Sequence, residues 1–297
     1  MMQALSGSIV ALVTPMKCCG NIDFYALENL IDWHINQGSK GIVSVGTTGE
    51  SATLTVDEHL KVIGHTVDYV NGRIPVIAGS GSNSTSQAVE TTIESKKLGA
   101  NYSLSVTPYY NKPTQNGLIE HYTKIADSCD LPIILYNVPS RTACDLLPST
   151  VEILSKHQNI IGIKESINDE IRINELINIS KKSESDFYIL SGDDATFFKL
   201  IQNGGHGVIS VAANIVPKSI SKICDLLLNK EENEAYLLNK ENKNLYDLLF
   251  IESNPSPVKW MLYKMGKIEK SIRLPLVSLD TKYKDNIIAE MLKLNLL

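Results

Sequence analysis

Short apolar runs alternate with helix-like segments along most of this 297-residue chain, and that alternation restricts the possible folds more than any other feature. Strands that alternate with helices form parallel sheets, because each helix carries the chain back to the start of the next strand. The runs that we interpret as strands are residues 8–13, 41–45, 74–78, 102–106, 132–136, 160–164, 187–190 and 207–211. Eight strand–helix units predict closure into a barrel, so the expected fold class is α/β, a (β/α)8 TIM barrel.

The main structural alternative is an open, doubly wound sheet, which would carry a glycine-rich dinucleotide fingerprint after its first strand. The segment after Val13 has no such pattern of glycines. From about Lys230 no further apolar strand follows, and leucines at helical spacing predict helices instead. We therefore expect a barrel catalytic domain over residues 1–229 and a helical C-terminal extension over residues 230–297.

Polar residues indicate where several helices begin. Asp23 has the position of an N-cap, and Thr55 with Glu58 has the spacing of a capping box. After the seventh strand, we interpret Asp193 and Asp194 as the N-cap of the next helix. These signals predict short connections between strand ends and helices.

Charge and hydropathy exclude two classes of partner. A net charge of −5 and a pI near 5.7 give no basic surface for nucleic acid. No apolar run is long enough to span a bilayer, and Met1–Gly7 has no charged segment ahead of an apolar one. We expect no nucleic-acid partner, no membrane association and a cytoplasmic location.

Neither the cysteines nor the histidines suggest a bound metal. The cysteines have no zinc-binding or redox spacing, and the six histidines are scattered. The cysteines are Cys18, Cys19, Cys129, Cys144 and Cys224. We expect no metal and no cofactor, with the cysteines packed as reduced thiols that behave like small hydrophobic residues.

Lys164 is an unusual residue, because it lies inside the sixth apolar run, where burying an unpaired ammonium is costly. One interpretation is that Lys164 ends the strand and reaches water along its apolar stem. The other is that the apolar surroundings keep its amine neutral, so that it can act as a nucleophile. The run by itself favours the first interpretation, and the rest of the chain favours the second.

Barrel enzymes carry their chemistry at the carboxyl ends of the strands, and several reactive side chains occur there. They are Thr47 and Thr48 after the second strand, Tyr110 after the fourth, and Tyr136 and Arg141 at the fifth. Singly, the threonines are explained as turn caps, the tyrosines as core or interface aromatics, and the arginine as a surface charge. Together they suit a lysine that attacks a ketone, because hydroxyls relay the protons and a guanidinium binds a carboxylate.

These residues stand in motifs that resemble the dihydrodipicolinate synthase family, within the pyruvate-dependent class I aldolases that also include N-acetylneuraminate lyase. The matching motifs are residues 46–51 (GTTGES), 106–113 (VTPYYNKP), 136–142 (YNVPSRT), 162–165 (GIKE) and 191–194 (SGDD). The resemblance extends from about Ile9 to Tyr263, nearly the whole chain.

The resemblance implies a reaction: condensation of pyruvate with L-aspartate 4-semialdehyde to 4-hydroxy-tetrahydrodipicolinate, in lysine and diaminopimelate biosynthesis. It implies that Lys164 forms a Schiff base with pyruvate. It also implies that Tyr136, Thr47 and Tyr110 relay protons. Tyr110 is then supplied by a neighbouring subunit across the tight dimer of a homotetramer, a dimer of dimers.

The same resemblance implies the substrate-binding residues. Thr47 and Thr48 hold the pyruvate carboxylate, and Arg141 binds the carboxylate of the semialdehyde. Gly192 and Ile209 contribute backbone groups near the site.

Family members that are inhibited by lysine bind it at the tight-dimer interface, and the chain matches that pattern only in part. The matching residues are Ser51, Ala52, His59, Asn83 and Tyr109. The chain has Val56 where the inhibited pattern has histidine, and Gln87 where it has glutamate. Because a carboxylate would pair with the ammonium of lysine and an amide would not, we expect weak or absent feedback.

Two other functions compete with the synthase. A lyase or aldolase acting on a sugar acid such as N-acetylneuraminate would use the same Lys164 and Tyr136, but Arg141, directly after Pro139 and Ser140, has the form of the synthase. A non-catalytic keto-acid-binding protein would tolerate loss of the hydroxyl relay, yet the relay residues are present and no DNA-binding module is appended.

Overall fold

Eight parallel strands close into a barrel, with each strand paired to the next and β8 paired to β1. The computed structural model describes residues 5–297. Residues 1–4 belong to the segment in which no leader was predicted, and they lie outside the described residues. The strands are β1 (Gly7–Ala11), β2 (Gly41–Ser44), β3 (Val76–Gly79), β4 (Tyr102–Val106), β5 (Ile133–Asn137), β6 (Ile160–Glu165), β7 (Tyr188–Ser191) and β8 (Gly207–Ser210). The predicted TIM barrel is confirmed.

Helices follow the strands and continue into the C-terminal extension. They are α1 (Phe24–Asn36), α2 (Val56–Val70), α3 (Thr85–Lys97), α4 (Gln115–Ala126), α5 (Pro139–Thr142), α6 (Pro148–Leu154), α7 (Glu170–Lys182), α8 (Phe197–Gln202), α9 (Pro217–Leu228), α10 (Glu232–Leu248), α11 (Ser256–Lys264) and α12 (Thr281–Lys293). No helix within residues 5–297 is long and apolar enough to cross a bilayer.

The predicted helix starts at Asp23 and Thr55 are confirmed. The Asp23 carboxylate accepts a hydrogen bond from the backbone N–H of Ala26 at 3.1 Å. Thr55 and Glu58 form both halves of a capping box at the start of α2. These caps satisfy backbone groups that the first turn of a helix would otherwise leave unpaired.

No separate signal in the sequence indicated the short helix α6, because its seven residues are too few to show a helical repeat of apolar residues. The prediction that Asp193 and Asp194 form the N-cap of the next helix is wrong, because α8 begins after Thr196 and no side chain caps it. The buried Asp194 carboxylate instead accepts hydrogen bonds from the Ser210 hydroxyl at 2.5 Å and from the Val211 and Ala212 N–H groups, so it orders the turn after β8.

Alternate residues of each strand point to opposite sides of the barrel wall, which divides the core into two layers. On β5, Ile134 and Tyr136 belong to the interior cluster, and Leu135 packs outward against the helices. The extension adds to the outer layer through residues such as Met261 and Ile287. The C-terminal helices therefore pack against the barrel, and the segment between α10 and α11 reaches the carboxyl ends of its strands.

Candidate active site

Lys164 lies near the carboxyl end of β6, beside Tyr136 of β5. The two residues are paired in the register of the neighbouring strands, and the Lys164 amine lies 4.3 Å from the centroid of the Tyr136 ring. The lysine is only 5 % exposed. No carboxylate among residues 5–297 forms an ion pair with it, so its amine is free for chemistry.

The next residue, Glu165, points to the other side of the barrel wall and is also buried. It accepts hydrogen bonds from Arg172 of α7 at 2.8 Å and from the Asn137 amide. Burial raises the pKa of the Glu165 carboxyl, and the Arg172 guanidinium opposes that rise. Arg172 also binds Asp145, so this network ties the end of β6 to the loop after β5 and fixes the backbone of Lys164.

A cavity of about 480 Å³ opens at the carboxyl ends of the strands and contains the Lys164 side chain. The predicted site residues that line it are Thr47, Thr48, Tyr136, Arg141, Lys164 and Gly192. Side chains from β5, β6, the loop after β2 and the C-terminal extension therefore meet in one cavity. This arrangement can hold a small keto acid beside an amine and hydroxyl groups.

Glycine at position 192 leaves space for two neighbouring side chains of the cavity wall. A Cβ atom there would lie 2.1 Å from the Ser166 hydroxyl oxygen and 2.9 Å from Cε of Lys164. The Gly192 N–H donates a hydrogen bond to the Glu165 carbonyl at 2.7 Å, so its carbonyl oxygen is the backbone group left for a ligand. Gly192 thus makes room for the lysine.

The loop after β2, which contains Thr47 and Thr48, has an unusual backbone conformation at Val45. Val45 has φ of +51°, a value that β-branched residues rarely adopt. A Cβ at Gly79 would lie 2.5 Å from the Val45 carbonyl oxygen, so only glycine allows this close approach of β3. The Thr14 hydroxyl donates a hydrogen bond to the Gly49 carbonyl at 2.7 Å and holds the far side of the loop.

Arg141 lies on the one-turn helix α5 at the mouth of the cavity. Its guanidinium donates a 3.4 Å hydrogen bond to the backbone carbonyl of Asn254. The arginine is exposed, so its charge faces solvent at the mouth of the cavity.

Two predicted residues stand apart from this cavity. Tyr110 is 90 % exposed, has φ of +76° and does not line the cavity that holds Lys164. Ile209 belongs to the interior cluster of the barrel with Tyr136, and Val211 lines the cavity from the end of the same strand. Within one chain, the Tyr110 side chain is therefore not part of the cavity that contains the Lys164 amine.

A second cavity, also of about 480 Å³, adjoins the first and shares Thr47, Arg141 and Asn254 with it. The residues of the lysine-site pattern that line it are Ser51, Ala52, Val56, His59, Gln87 and Tyr109. Asn83 lies at its edge, where its amide donates a hydrogen bond to the Tyr109 carbonyl at 3.1 Å.

The polar groups of this second cavity are mostly engaged within the chain. His59 Nε2 lies 2.7 Å from the Gly79 carbonyl, and burial lowers the pKa of His59. The Gln87 carbonyl oxygen accepts a hydrogen bond from Ser82 at 3.0 Å. The only acid among the described residues that line this cavity is Glu50, which is already paired with Lys259.

The sequence did not reveal Asn254, which lines both cavities, or the ion pair between Glu50 and Lys259. Asn254 Nδ2 donates a 3.0 Å hydrogen bond to the Thr48 hydroxyl, which is 206 residues earlier in the chain. No local pattern could indicate a contact over that separation. The Asn-Pro-Ser-Pro segment around Asn254 indicates only a turn.

The cysteines correct one expectation. Cys144 and Cys224 are buried as expected for small hydrophobic residues, but Cys18 and Cys19 are exposed, so the expectation is wrong for that pair. All five are free thiols. No group of three or more metal-ligating side chains occurs in the described part of the chain.

The fold and the cavity define a TIM-barrel enzyme with a buried lysine amine at its catalytic end. The dihydrodipicolinate synthetase family model matches residues 4–293, and this chain belongs to that family.

Individual relatives agree with this assignment. The 4-hydroxy-tetrahydrodipicolinate synthase of Saccharophagus degradans is 50% identical over 279 residues, which cover 94% of this chain and 95% of that protein. The crystal structure of the chloride-inhibited dihydrodipicolinate synthase of Acinetobacter baumannii, complexed with pyruvate, is 46% identical, with a TM-score of 0.96 and coverage of 99% of this chain and 100% of that one. The enzyme of Cyanidioschyzon merolae with lysine bound is 35% identical, with a TM-score of 0.93 and coverage of 98% and 99%.

Proposed function

We propose that this protein condenses pyruvate with L-aspartate 4-semialdehyde to give 4-hydroxy-tetrahydrodipicolinate, in lysine and diaminopimelate biosynthesis. One observation carries the proposal: a buried lysine amine, 4.3 Å from the Tyr136 ring centroid, lies in a cavity lined by two threonine hydroxyls. The relatives that carry the name of this activity support it.

Lys164 is the nucleophile. Its neutral amine adds to the ketone carbon of pyruvate to give a carbinolamine, and loss of water gives the imine. Loss of a methyl proton converts the imine into an enamine, whose carbon forms the new C–C bond with the aldehyde. The amino group of the semialdehyde then attacks the imine carbon, and ring closure releases the Lys164 amine.

Each of these steps moves a proton, and the hydroxyls of Thr47, Tyr136 and Tyr110 form the relay that moves it. Thr47 and Tyr136 line the cavity of their own chain. Tyr110 is exposed, so it is available to enter the cavity of a neighbouring subunit. This function therefore requires a dimer, and the full assembly is a homotetramer built from two such dimers.

Two groups of residues bind the two carboxylates. The Thr47 and Thr48 hydroxyls and the Gly192 backbone bind pyruvate, next to Lys164 and the strand that contains Ile209. Arg141 binds the semialdehyde carboxylate at the mouth, where the planar guanidinium engages both oxygens. The free thiols of all five cysteines suit a reducing cytoplasm, which is the location that we propose.

The second cavity is the place where L-lysine would bind, but its charge does not favour a cation. Gln87 is neutral, and Glu50 is committed to Lys259. We infer weak feedback by lysine at this cavity.

Borohydride reduction in the presence of pyruvate tests the proposal. The expected result is a mass increase on the peptide that contains Lys164, together with formation of product from pyruvate and aspartate semialdehyde. Absence of the adduct would contradict Schiff-base chemistry. An adduct accompanied by cleavage of N-acetylneuraminate, and no turnover of the semialdehyde, would assign the protein to the sugar-acid lyases instead.

A further inference from the structure

Asn254 reaches the active-site cavity from the C-terminal extension, and no role assigned above uses its side chain. The residue is only 5 % exposed. Its amide Nδ2 donates a 3.0 Å hydrogen bond to the Thr48 hydroxyl oxygen. The amide carbonyl oxygen, Oδ1, is buried and has no hydrogen-bond partner among residues 5–297. A buried, unpaired acceptor is costly, so stability alone does not explain an asparagine here.

The direction of this hydrogen bond decides where the Thr48 proton goes. A hydroxyl has one proton to donate and two lone pairs that accept. When Asn254 donates to Thr48, the Thr48 O–H is left to donate elsewhere. A substrate carboxylate has only acceptors, so it needs a donor in that orientation.

Asn254 also touches the residue proposed for the second carboxylate. Its backbone carbonyl accepts the 3.4 Å hydrogen bond from Arg141. One residue of the extension therefore lies between the two places where carboxylates bind.

Buried polar contacts hold this part of the extension against the Thr48 loop. Lys259 of α11 forms an ion pair with Glu50, and both side chains are at most 4 % exposed. The Lys259 amine also donates to the Thr14 carbonyl at 3.1 Å, and the Thr14 hydroxyl holds Gly49. The distance between Asn254 and Thr48 is therefore set by anchors on both sides of the contact.

We propose that Asn254 is a positioning residue for the pyruvate carboxylate: its amide N–H orients the Thr48 hydroxyl so that it donates to the substrate. The inference rests on the proposed function and extends the carboxylate site into the C-terminal extension.

Asn254→Asp tests the direction of the bond, because aspartate has the same shape but lacks the N–H donor. Its carboxylate accepts the Thr48 proton and repels the substrate. The measurement is the pyruvate concentration that half-saturates borohydride trapping, with KM and kcat measured on the full-length protein. We expect a rise in pyruvate KM of about tenfold or more, the size of one charge-assisted hydrogen bond, with a smaller change in kcat at saturating pyruvate.

A double-mutant cycle separates positioning from a general structural role. As a single substitution, Asn254→Ala should raise the KM for pyruvate. In a Thr48→Val background it should change that KM little further, because the hydroxyl that Asn254 orients is already gone. Asn242→Asp is the matched control: Asn242 is a buried asparagine of α10, bonded to Ser219 at 2.7 Å and outside the cavity, and its replacement should leave pyruvate KM unchanged.

The outcomes distinguish this inference from the function on which it rests. If the unmodified protein forms the Lys164 adduct and Asn254→Asp saturates at the same pyruvate concentration, the positioning role is wrong and the synthase assignment stands. If the effects of Asn254→Ala and Thr48→Val add fully, the role is likewise wrong. If the unmodified protein forms no adduct at all, the proposed function fails and the inference fails with it.

Discussion

The Lys164 amine lies over the ring of Tyr136, 4.3 Å from its centroid, because the β5–β6 register pairs the two residues. The ring of Tyr136 thus lies against the amine that we propose as the nucleophile, and its hydroxyl is the group that we propose for the proton relay. A phenylalanine at this position would keep the first contribution and remove the second. This separation makes the site testable one group at a time.

The first prediction concerns the nucleophile. Lys164→Ala should abolish borohydride trapping of pyruvate and lower turnover by orders of magnitude, because no other described lysine lines the cavity. Mass spectrometry of the reduced protein and circular dichroism measure the adduct and the fold. Lys40→Ala is the control, since Lys40 is half-exposed at the surface beside Asp225. Undiminished trapping in Lys164→Ala would contradict the assignment.

The second prediction concerns the shared tyrosine. Tyr110→Phe and Tyr136→Phe should each lose about 10²–10⁴-fold in turnover, the usual contribution of general acid–base catalysis. Mixed dimers of the two variants contain one site with both hydroxyls, so random exchange should restore roughly a quarter of the normal rate. Activity is measured after mixing and subunit exchange. If mixed dimers form and remain inactive, Tyr110 acts within its own chain.

The third prediction concerns the second substrate. Arg141→Ala should raise the KM for aspartate semialdehyde by about ten- to hundredfold while the pyruvate adduct still forms. The KM of Arg141→Lys for the semialdehyde should lie between those of the unmodified protein and Arg141→Ala, because lysine keeps the charge and loses the planar guanidinium. Arg73→Ala is the control, since Arg73 pairs with Asp32 on the surface. Normal semialdehyde kinetics in Arg141→Ala would assign the carboxylate to another group.

The fourth prediction concerns feedback. L-Lysine should inhibit the unmodified protein weakly, and Gln87→Glu should strengthen inhibition about ten- to hundredfold by adding a charge-assisted bond to the ligand ammonium. Initial rates against lysine concentration measure the effect. Gln202→Glu on α8, outside the second cavity, should have no effect on the response. Strong inhibition of the unmodified protein at sub-millimolar lysine would show that the carboxylate is unnecessary.

The fifth prediction concerns stability in acid. Burial lowers the pKa of His34 from 6.5 to about 3, with Lys267 adding to the effect. Because the folded-state pKa is depressed, the stability from neutral His34 is present above about pH 6.5 and is lost as the pH falls toward 3. At about 1.4 kcal/mol per pKa unit, up to about 5 kcal/mol depends on this residue.

Urea denaturation at several pH values between about 4.5 and 7.5 measures how the free energy of unfolding depends on this titration. His34→Gln should flatten the fall in unfolding free energy toward low pH. Ser39→Ala is the control, because it removes the 3.3 Å contact with His34 Nδ1 and keeps the titrating group, so it should lower stability similarly at every pH. An unchanged pH slope in His34→Gln would show that the histidine is not the sensor.

The barrel could be predicted from the sequence because its strands are largely buried on both sides, and most of them are short runs rich in apolar residues. Lys164 was visible for the same reason, as a charge that interrupts such a run. Helix α6 was too short to show a repeat, and Asp194 was assigned to the adjacent helix because its true partners follow the next strand. The contact between Asn254 and Thr48 could not be predicted from the sequence, since it depends on how the extension packs against the barrel.

The contacts of Asn254 and Lys259 with the Thr48 loop also set an order of events during synthesis. A chain is made and folds from its N-terminus, and the barrel strands are complete at Ser210. The partners of Thr48 and Glu50, which are Asn254 and Lys259, are nevertheless translated after all eight strands. The strands of the barrel are therefore translated well before the groups that complete the proposed substrate site, and the chain has all of those groups only after α11 has been made.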